Sequence, residues 1–242
     1  RDYEDVMADI RKIPEVEDCA PRLEWAALVG QPPQQMQFVQ IIGIRPEYEK
    51  KVSDFEKYLL HKTPPNFGSD SEPDGDNESQ GVIIGSQLFG IPPHHAKQAP
   101  FPGGRSVSLT SAKFTLGLPL PVRRDFPIVG VFNTGMVEYD SNIYMALATA
   151  QRFVGAPEAI SKIAIRLKDY RTAPRVVQEL NRRLPYSLMV QTWEDEKRNL
   201  LRAVAVEKNI NAIILFFIII VASFNILSML TMRVVEKTHD IG

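Results

Sequence analysis

The chain has 242 residues, 28 basic against 29 acidic side chains, and a formal net charge of −1. That length suits one large or two small domains, and the charge balance leaves no basic field of the kind nucleic acid requires, so nucleic acid is excluded as a partner. The single cysteine, Cys19, excludes a disulfide within the chain and reads as a buried free thiol.

Residues 2–12 carry Val6 and Ile10 at helical spacing, with Ile13 beyond and Pro14 as a stop, and predict a short amphipathic helix. Strand character follows over 16–29, broken by Pro21. It returns over 37–44 (QFVQIIGI), where alternation gives way to a continuous apolar run that suits a covered sheet. Residues 47–60 set Val52, Phe55 and Leu59 on one face of a predicted helix. These alternating elements argue for a compact α+β domain.

Segment 63–80, TPPNFGSDSEPDGDNESQ, interrupts the order with five acidic residues, no basic ones, three prolines and one aromatic. Too little apolar surface is available there to offset the entropy of ordering, so the expectation is a loop. Asp70, Asp74 and Asp76 suggest calcium, but the glycine and glutamate spacing of an EF-hand is absent, and an acidic docking tail is the other alternative. His94 and His95 stand in a Pro-rich stretch with no Cys, third His or spaced carboxylate to complete a metal site. Neither a metal ligand nor a cofactor is expected.

Strands are predicted over 105–111 and 125–133, and between them lies the loop 110–124, TSAKFTLGLPLPVRR. Its Leu116, Leu118 and Leu120 alternate with Gly117, Pro119 and Pro121, so prolines fix the backbone while apolar side chains project. Such preorganisation lowers the entropy lost on binding and suits a docking loop. The same residues also suit a plain β-hairpin end whose leucines fold back into the core. Beyond it come a strand at 142–146, a short helix at 147–154, a strand at 160–167, a helix at 172–184 and a last strand at 187–191.

The end of the chain organises the rest. Residues 210–232 (INAIILFFIIIVASFNILSMLTM) contain no charge, and at about 1.5 Å per residue a helix of this length spans the roughly 30 Å core of a bilayer. Upstream, Thr192 and Asp195 have capping-box spacing, and no Pro or Gly intervenes before Asn209. One helix is therefore expected to start in water and run into lipid, its aqueous stalk bearing Leu200, Leu201, Val204 and Ala205 on an apolar face. No GxxxxGK[ST], GxSxG or HExxH motif occurs, so no catalytic residue is assigned and no ATP is bound by that loop.

This end of the chain resembles the second transmembrane segment of the LolC/LolE permeases, within the wider FtsX/MacB type of ABC transporter subunit. The resemblance is carried by Glu207-Lys208-Asn209 at the membrane entry, Val221-Ala222-Ser223-Phe224-Asn225-Ile226 inside the run, and Glu236-Lys237 with Asp240-Ile241 after it. It implies a two-subdomain extracytoplasmic α+β domain of the MacB periplasmic core type, followed by a long stalk and transmembrane helix. A larger discontinuous subdomain would comprise 1–36 and 142–192, and an inserted β-rich one 37–141, with 63–80 as an extra loop. Stalk and membrane helix would occupy 193–232, and a cytoplasmic coupling segment would begin at 233–242.

Further helices would precede residue 1 and follow residue 242, which makes the chain a piece of a longer polypeptide. The loop 110–124 is similar to this family's hook, which recruits a periplasmic lipoprotein chaperone; the docking residues are then Phe114, Leu116, Gly117, Leu118, Pro119, Leu120 and Pro121. Phe216, Phe217, Phe224 and Asn225 would line a lipid cavity, and Glu236, Lys237 and Asp240 would touch a separate ATPase subunit. The implied partners are that ATPase, a second permease subunit, the chaperone, a lipoprotein substrate and membrane lipid, with most of this chain in the periplasm of a bacterial inner-membrane protein. Two rival roles within the family are a MacB-like exporter of small molecules or peptides and an FtsX-like activator of a cell-wall hydrolase.

Overall fold

In the computed structural model, residues 3–30, 36–60, 67, 81–89, 105–115, 118–185 and 188–241 are described. The N-terminal unit, Arg1–Val176, is built on strands β1 (Val16–Val29), β2 (Gln37–Ile44), β3 (Val82–Gly85), β4 (Ser106–Thr115), β5 (Leu118–Phe132), β6 (Asn142–Ala146) and β7 (Lys162–Leu167). Their order is β2-β6-β3-β5-β4-β1-β7, and β2 also pairs with β1. Six strands therefore close on themselves. Pairing β1–β2 covers Arg22↔Ile44 to Val29↔Gln37, and β4 completes the ring at Leu28↔Thr110 and Val29↔Leu109. β7 flanks the first half of β1, from Val16↔Leu167 to Arg22↔Lys162.

Period-two alternation sorts the side chains of this ring into two clusters. One holds Val39 and Ile41 of β2, Val82 and Ile84 of β3, Ile143 and Met145 of β6, and Leu109, Phe126 and Ile128 from the β4–β5 pair. Helix α4 (Leu147–Val154) adds Leu147, Ala150 and Phe153 to it. The other cluster takes the alternate residues Ile42, Ile44, Ile83 and Tyr144, joined by Phe132 beyond a register shift in the β3–β5 pairing, and by Phe55 and Phe67. Both faces of β3, β6 and the second half of β2 are thus covered, which is why 41–44 and 82–84 read as unbroken apolar runs. β2 meets β1 on one side and β6 on the other, so hydrogen-bonded pairing crosses the boundaries expected at 36/37 and 141/142.

Helix α1 (Tyr3–Arg11) buries Val6, Met7 and Ile10 as its spacing predicts, and Cys19 is fully buried. β1 continues through Pro21, where a break was expected. Pairing with β2 begins only at Arg22, so the missing proline N–H falls where β1 has a single neighbour. The helix expected over 47–60 is two pieces, α2 (Pro46–Val52) and a 3₁₀ turn at Phe55–Tyr58. Ser53 separates them in an extended conformation, its amide and hydroxyl both turned back onto Glu49.

After α3 (Val137–Asp140), β6, α4 and β7, helix α5 (Ala173–Arg183) matches the predicted 172–184. No strand forms at 188–191, where a last one was expected, and Met189 is 88% exposed. Within the second unit, Val177–Gly242, the Thr192–Asp195 capping box is present and opens α6 (Trp193–Glu196). The single uninterrupted helix expected from there is broken at Lys197, and α7 (Arg198–Ile241) runs for 44 residues, about 66 Å. The acidic segment 63–80, apart from Phe67, and the pair His94 and His95 lie outside the described residues.

Candidate functional site

The segment 110–124 folds as a β-hairpin arm in continuous register with its base. β4 and β5 pair without interruption from Ser106↔Pro127 to Phe114↔Pro119 and Thr115↔Leu118, so both strands extend past the ends expected for them. The prolines explain how. Pro119, Pro121 and Pro127 sit at alternate positions of β5 and so share one edge, while Ile128 N–H, of the opposite parity, donates toward β4 at the Arg105 carbonyl, 2.9 Å away. β3 joins the proline edge only from Ile128 onward, so the missing donors of Pro119 and Pro121 remove no ladder bond.

At its base the arm is tied sideways. Ser108 Oγ donates to Asp125 Oδ1, its direct cross-strand neighbour, and accepts from Arg123 Nε at 2.9 Å. Trp25 Nε1 donates to Ser111 Oγ at 3.0 Å from β1. Further out, Leu120 is 51% exposed and Pro121 is exposed, so this leucine does not fold back into the core. The backbones of Phe114, Leu118 and Pro119 belong to the hairpin, whereas Leu116 and Gly117 lie outside the described residues. Sequence reasoning missed the tie residues Trp25, Ser108 and Arg123; the alternate spacing of the prolines was the available signal that this was a strand edge.

The second candidate surface is α7. Its segment Leu201–Val234 is long and apolar enough to cross a membrane: its most apolar 18-residue stretch has a mean hydropathy of 2.8, and none of that stretch is buried within the chain. The four proposed cavity residues do not share one face. Phe217 and Phe224 project about 20° apart, Asn225 about a quarter turn from them, and Phe216 about half a turn from Asn225. The rings of Phe216 and Phe217 meet edge to face at 6.0 Å between centroids. Glu236 is exposed on the last turns of α7, which include Lys237 and Asp240 in their backbone.

Before the membrane segment, Asp195 sits between Arg198 Nη2 and the Thr192 hydroxyl and amide. The guanidinium first, and then the threonine donors, hold its carboxyl below the usual aspartate range. The arrangement is a cap and a charge clamp at the foot of a helix. An arm that exposes Leu120 and Pro121 and a bare apolar helix are surfaces suited to binding.

Residues 1–183 match the family described as the MacB-like periplasmic core domain. The chain is similar to the lipoprotein-releasing system transmembrane protein LolC of Neisseria meningitidis serogroup B, 28% identical over 84% of this chain and 46% of that protein. It is also similar to the lipoprotein-releasing system transmembrane protein LolE of Haemophilus influenzae, 23% identical over 99% of this chain and 54% of that one. The chain therefore spans about half the length of the curated relatives it matches. Among solved structures, the periplasmic region of MacB from Actinobacillus actinomycetemcomitans is 15% identical over 75% of this chain and 73% of that one, with a TM-score of 0.43.

Proposed function

The chain belongs to the MacB-like periplasmic core domain family, and on that premise we propose that it is part of a permease subunit of an ABC transporter that releases lipoproteins from a bacterial inner membrane. The observation that carries the reading is the union of this domain with an apolar span at Leu201–Val234 in one chain that is similar, over most of its length, to relatives named for lipoprotein release. Most of the chain then lies in the periplasm. ATP hydrolysis belongs to a separate ATPase subunit, met through Glu236, Lys237 and Asp240 at the end of α7.

In this reading the acyl chains of a lipoprotein enter a cavity between two permease subunits, along the side of α7 that bears Phe217 and Phe224. Each acyl methylene held in the bilayer is worth about 0.8 kcal/mol relative to water, so a multiply acylated protein does not leave the membrane without an energy source. Closure driven from the cytoplasm expels the lipid, and a periplasmic chaperone held by the arm around Phe114 to Pro121 receives it. The exposed Leu120 and the proline edge of β5 support this docking role, since a rigid apolar edge loses little entropy on binding.

The test is binding of the intact chain, in lipid nanodiscs, to a purified periplasmic lipoprotein chaperone of the same organism. Binding that a Leu118→Asp, Pro119→Ala variant loses, while its unfolding midpoint is unchanged, supports the reading. Failure of the folded wild-type chain to bind removes the chaperone from it. Capture of a cell-wall hydrolase or of a pump adaptor instead would transfer the function to the signalling or exporter branch of the family.

A further inference from the structure

Segment 63–80 holds one aromatic side chain, Phe67, and no Ala, Val, Leu, Ile or Met. That ring is 7% exposed and lies in the cluster of Ile42, Ile44, Phe55, Ile83, Phe132 and Tyr144. The single large apolar group of a polar, proline-rich insertion is therefore buried in the domain.

The way Phe67 is held sets it apart from its neighbours. Phe132 stands in the β5 ladder opposite Gly85, Tyr144 stands in β6 between Ile42 and Ile83, and Phe55 opens the 3₁₀ turn after α2. Phe67 belongs to no helix or strand and makes no hydrogen bond among the described residues. Side-chain burial alone attaches it, so it can leave without breaking a ladder bond.

The surroundings hold their shape without it. Phe55 stacks on Phe132 at 4.9 Å, and Tyr144 meets Phe55 at 5.1 Å and Phe132 at 4.7 Å. Beside these rings, Ile42, Ile44 and Ile83 are fixed by strand pairing on both sides. Residues that already pack on one another relax only partly when an occupant is removed, and an apolar hollow so left takes up a ligand of the same shape.

We infer that these six residues form a binding site for a phenyl side chain, and that Phe67 is its occupant from the same chain. The path of the chain favours this occupant. Leu59, packed on the same cluster, stands eight positions before Phe67, and Ile83 stands sixteen positions after it, so Phe67 is presented to the site at high effective concentration. The stretch 68–80, which carries all five carboxylates of the insertion, is thereby fastened at both ends to one cluster. The inference does not rest on the transport reading.

The probe is a synthetic peptide of sequence 63–80, whose charge keeps it out of lipid, added to the intact chain in nanodiscs of zwitterionic lipid. Saturation transfer from protein to the peptide's phenyl protons is measured by NMR. The Phe67→Ala chain, its site vacated, should give a signal about five- to tenfold above that of the wild type, in which Phe67 competes. Adding Phe55→Ala should remove the gain. Equal signals from wild type and Phe67→Ala, or a gain that survives Phe55→Ala, overturn the inference. Protection of the Cys19 thiol from labelling verifies that each variant is folded. Should a variant expose Cys19, 4-fluorophenylalanine at position 67 of the otherwise wild-type chain gives the reading instead. Its fluorine resonance should stand apart from that of the same residue in the free peptide, and coincidence of the two overturns the inference. Chaperone binding is not read here, so failure of this site and failure of the lipoprotein reading are separate outcomes.

Discussion

Trp25 Nε1 donates to Ser111 Oγ at 3.0 Å, and the same hydroxyl donates to the Ala26 carbonyl at 3.3 Å. The pair stands where β4 parts from β1, since their backbone pairing is confined to Leu28↔Thr110 and Val29↔Leu109. Beyond that point the arm keeps only β5 as a strand neighbour, so this side-chain link fixes the angle at which it leaves the ring. Ser111→Ala removes the hydroxyl to which the half-buried indole N–H donates, at a cost of about 0.5–1.5 kcal/mol. Hydrogen exchange of amides 111–115 and 120–124 should then quicken by roughly an order of magnitude, with Ile41 and Ile143 in the ring unchanged.

A second prediction concerns Arg22 and Glu49. Arg22 donates from Nε and Nη2 to the two carboxylate oxygens, at 3.0 and 2.5 Å, and the Ser53 hydroxyl donates to the same carboxylate. Glu49 is 3% exposed, so Glu49→Ala leaves a half-buried guanidinium without its partner and should cost about 3–5 kcal/mol. The double replacement Arg22→Met, Glu49→Leu should recover most of that loss. Urea unfolding, read by labelling of the buried Cys19 thiol, distinguishes the two.

The acid limb of stability should depend on Asp18. Burial pushes its carboxyl up, but the Cys19 amide at 2.8 Å, Arg11 at 3.0 Å and Lys51 at 3.5 Å outweigh burial and leave it below its ordinary 3.8. A carboxyl lowered on folding stabilises the fold fully above pH 3.8, and the contribution is lost as pH falls through the folded value. The stability gap between the wild type and Asp18→Asn should therefore narrow steadily below about pH 4 and stay constant from pH 5 to 7. A gap that widens on acidification would count against the assignment.

Gly85 closes β3 against α3. A Cβ added there would come within 2.0 Å of the Asp140 carbonyl oxygen, which is backbone and cannot rotate away. Asp140 is itself held by the Thr134 amide at 2.7 Å, the Thr134 hydroxyl at 2.9 Å and the Gly135 amide at 2.9 Å. Gly85→Ala should thus cost about 1–3 kcal/mol or more, seen as a lower unfolding midpoint, whereas Gly135→Ala meets only the strain of a left-handed backbone at φ 83°.

Features that depend only on neighbours along the chain were legible before folding was considered. A charge-free run over 210–232 needs no tertiary partner to be read as a membrane helix, because solvent transfer decides it residue by residue. The capping box at Thr192 and Asp195, the α1 face and the apolar strands β2 and β6 are local in the same sense. Tertiary structure decided what distant segments do to one another. That β4 returns to β1 and closes the ring, that Pro21 falls where β1 has one neighbour, and that Arg22 meets Glu49 across 27 positions are not encoded in any window of the chain. The arm shows the division most clearly: alternating leucines and prolines permitted either a loop or a hairpin, and the choice fell to the hairpin because β4 supplies a complete ladder on the edge the prolines leave free.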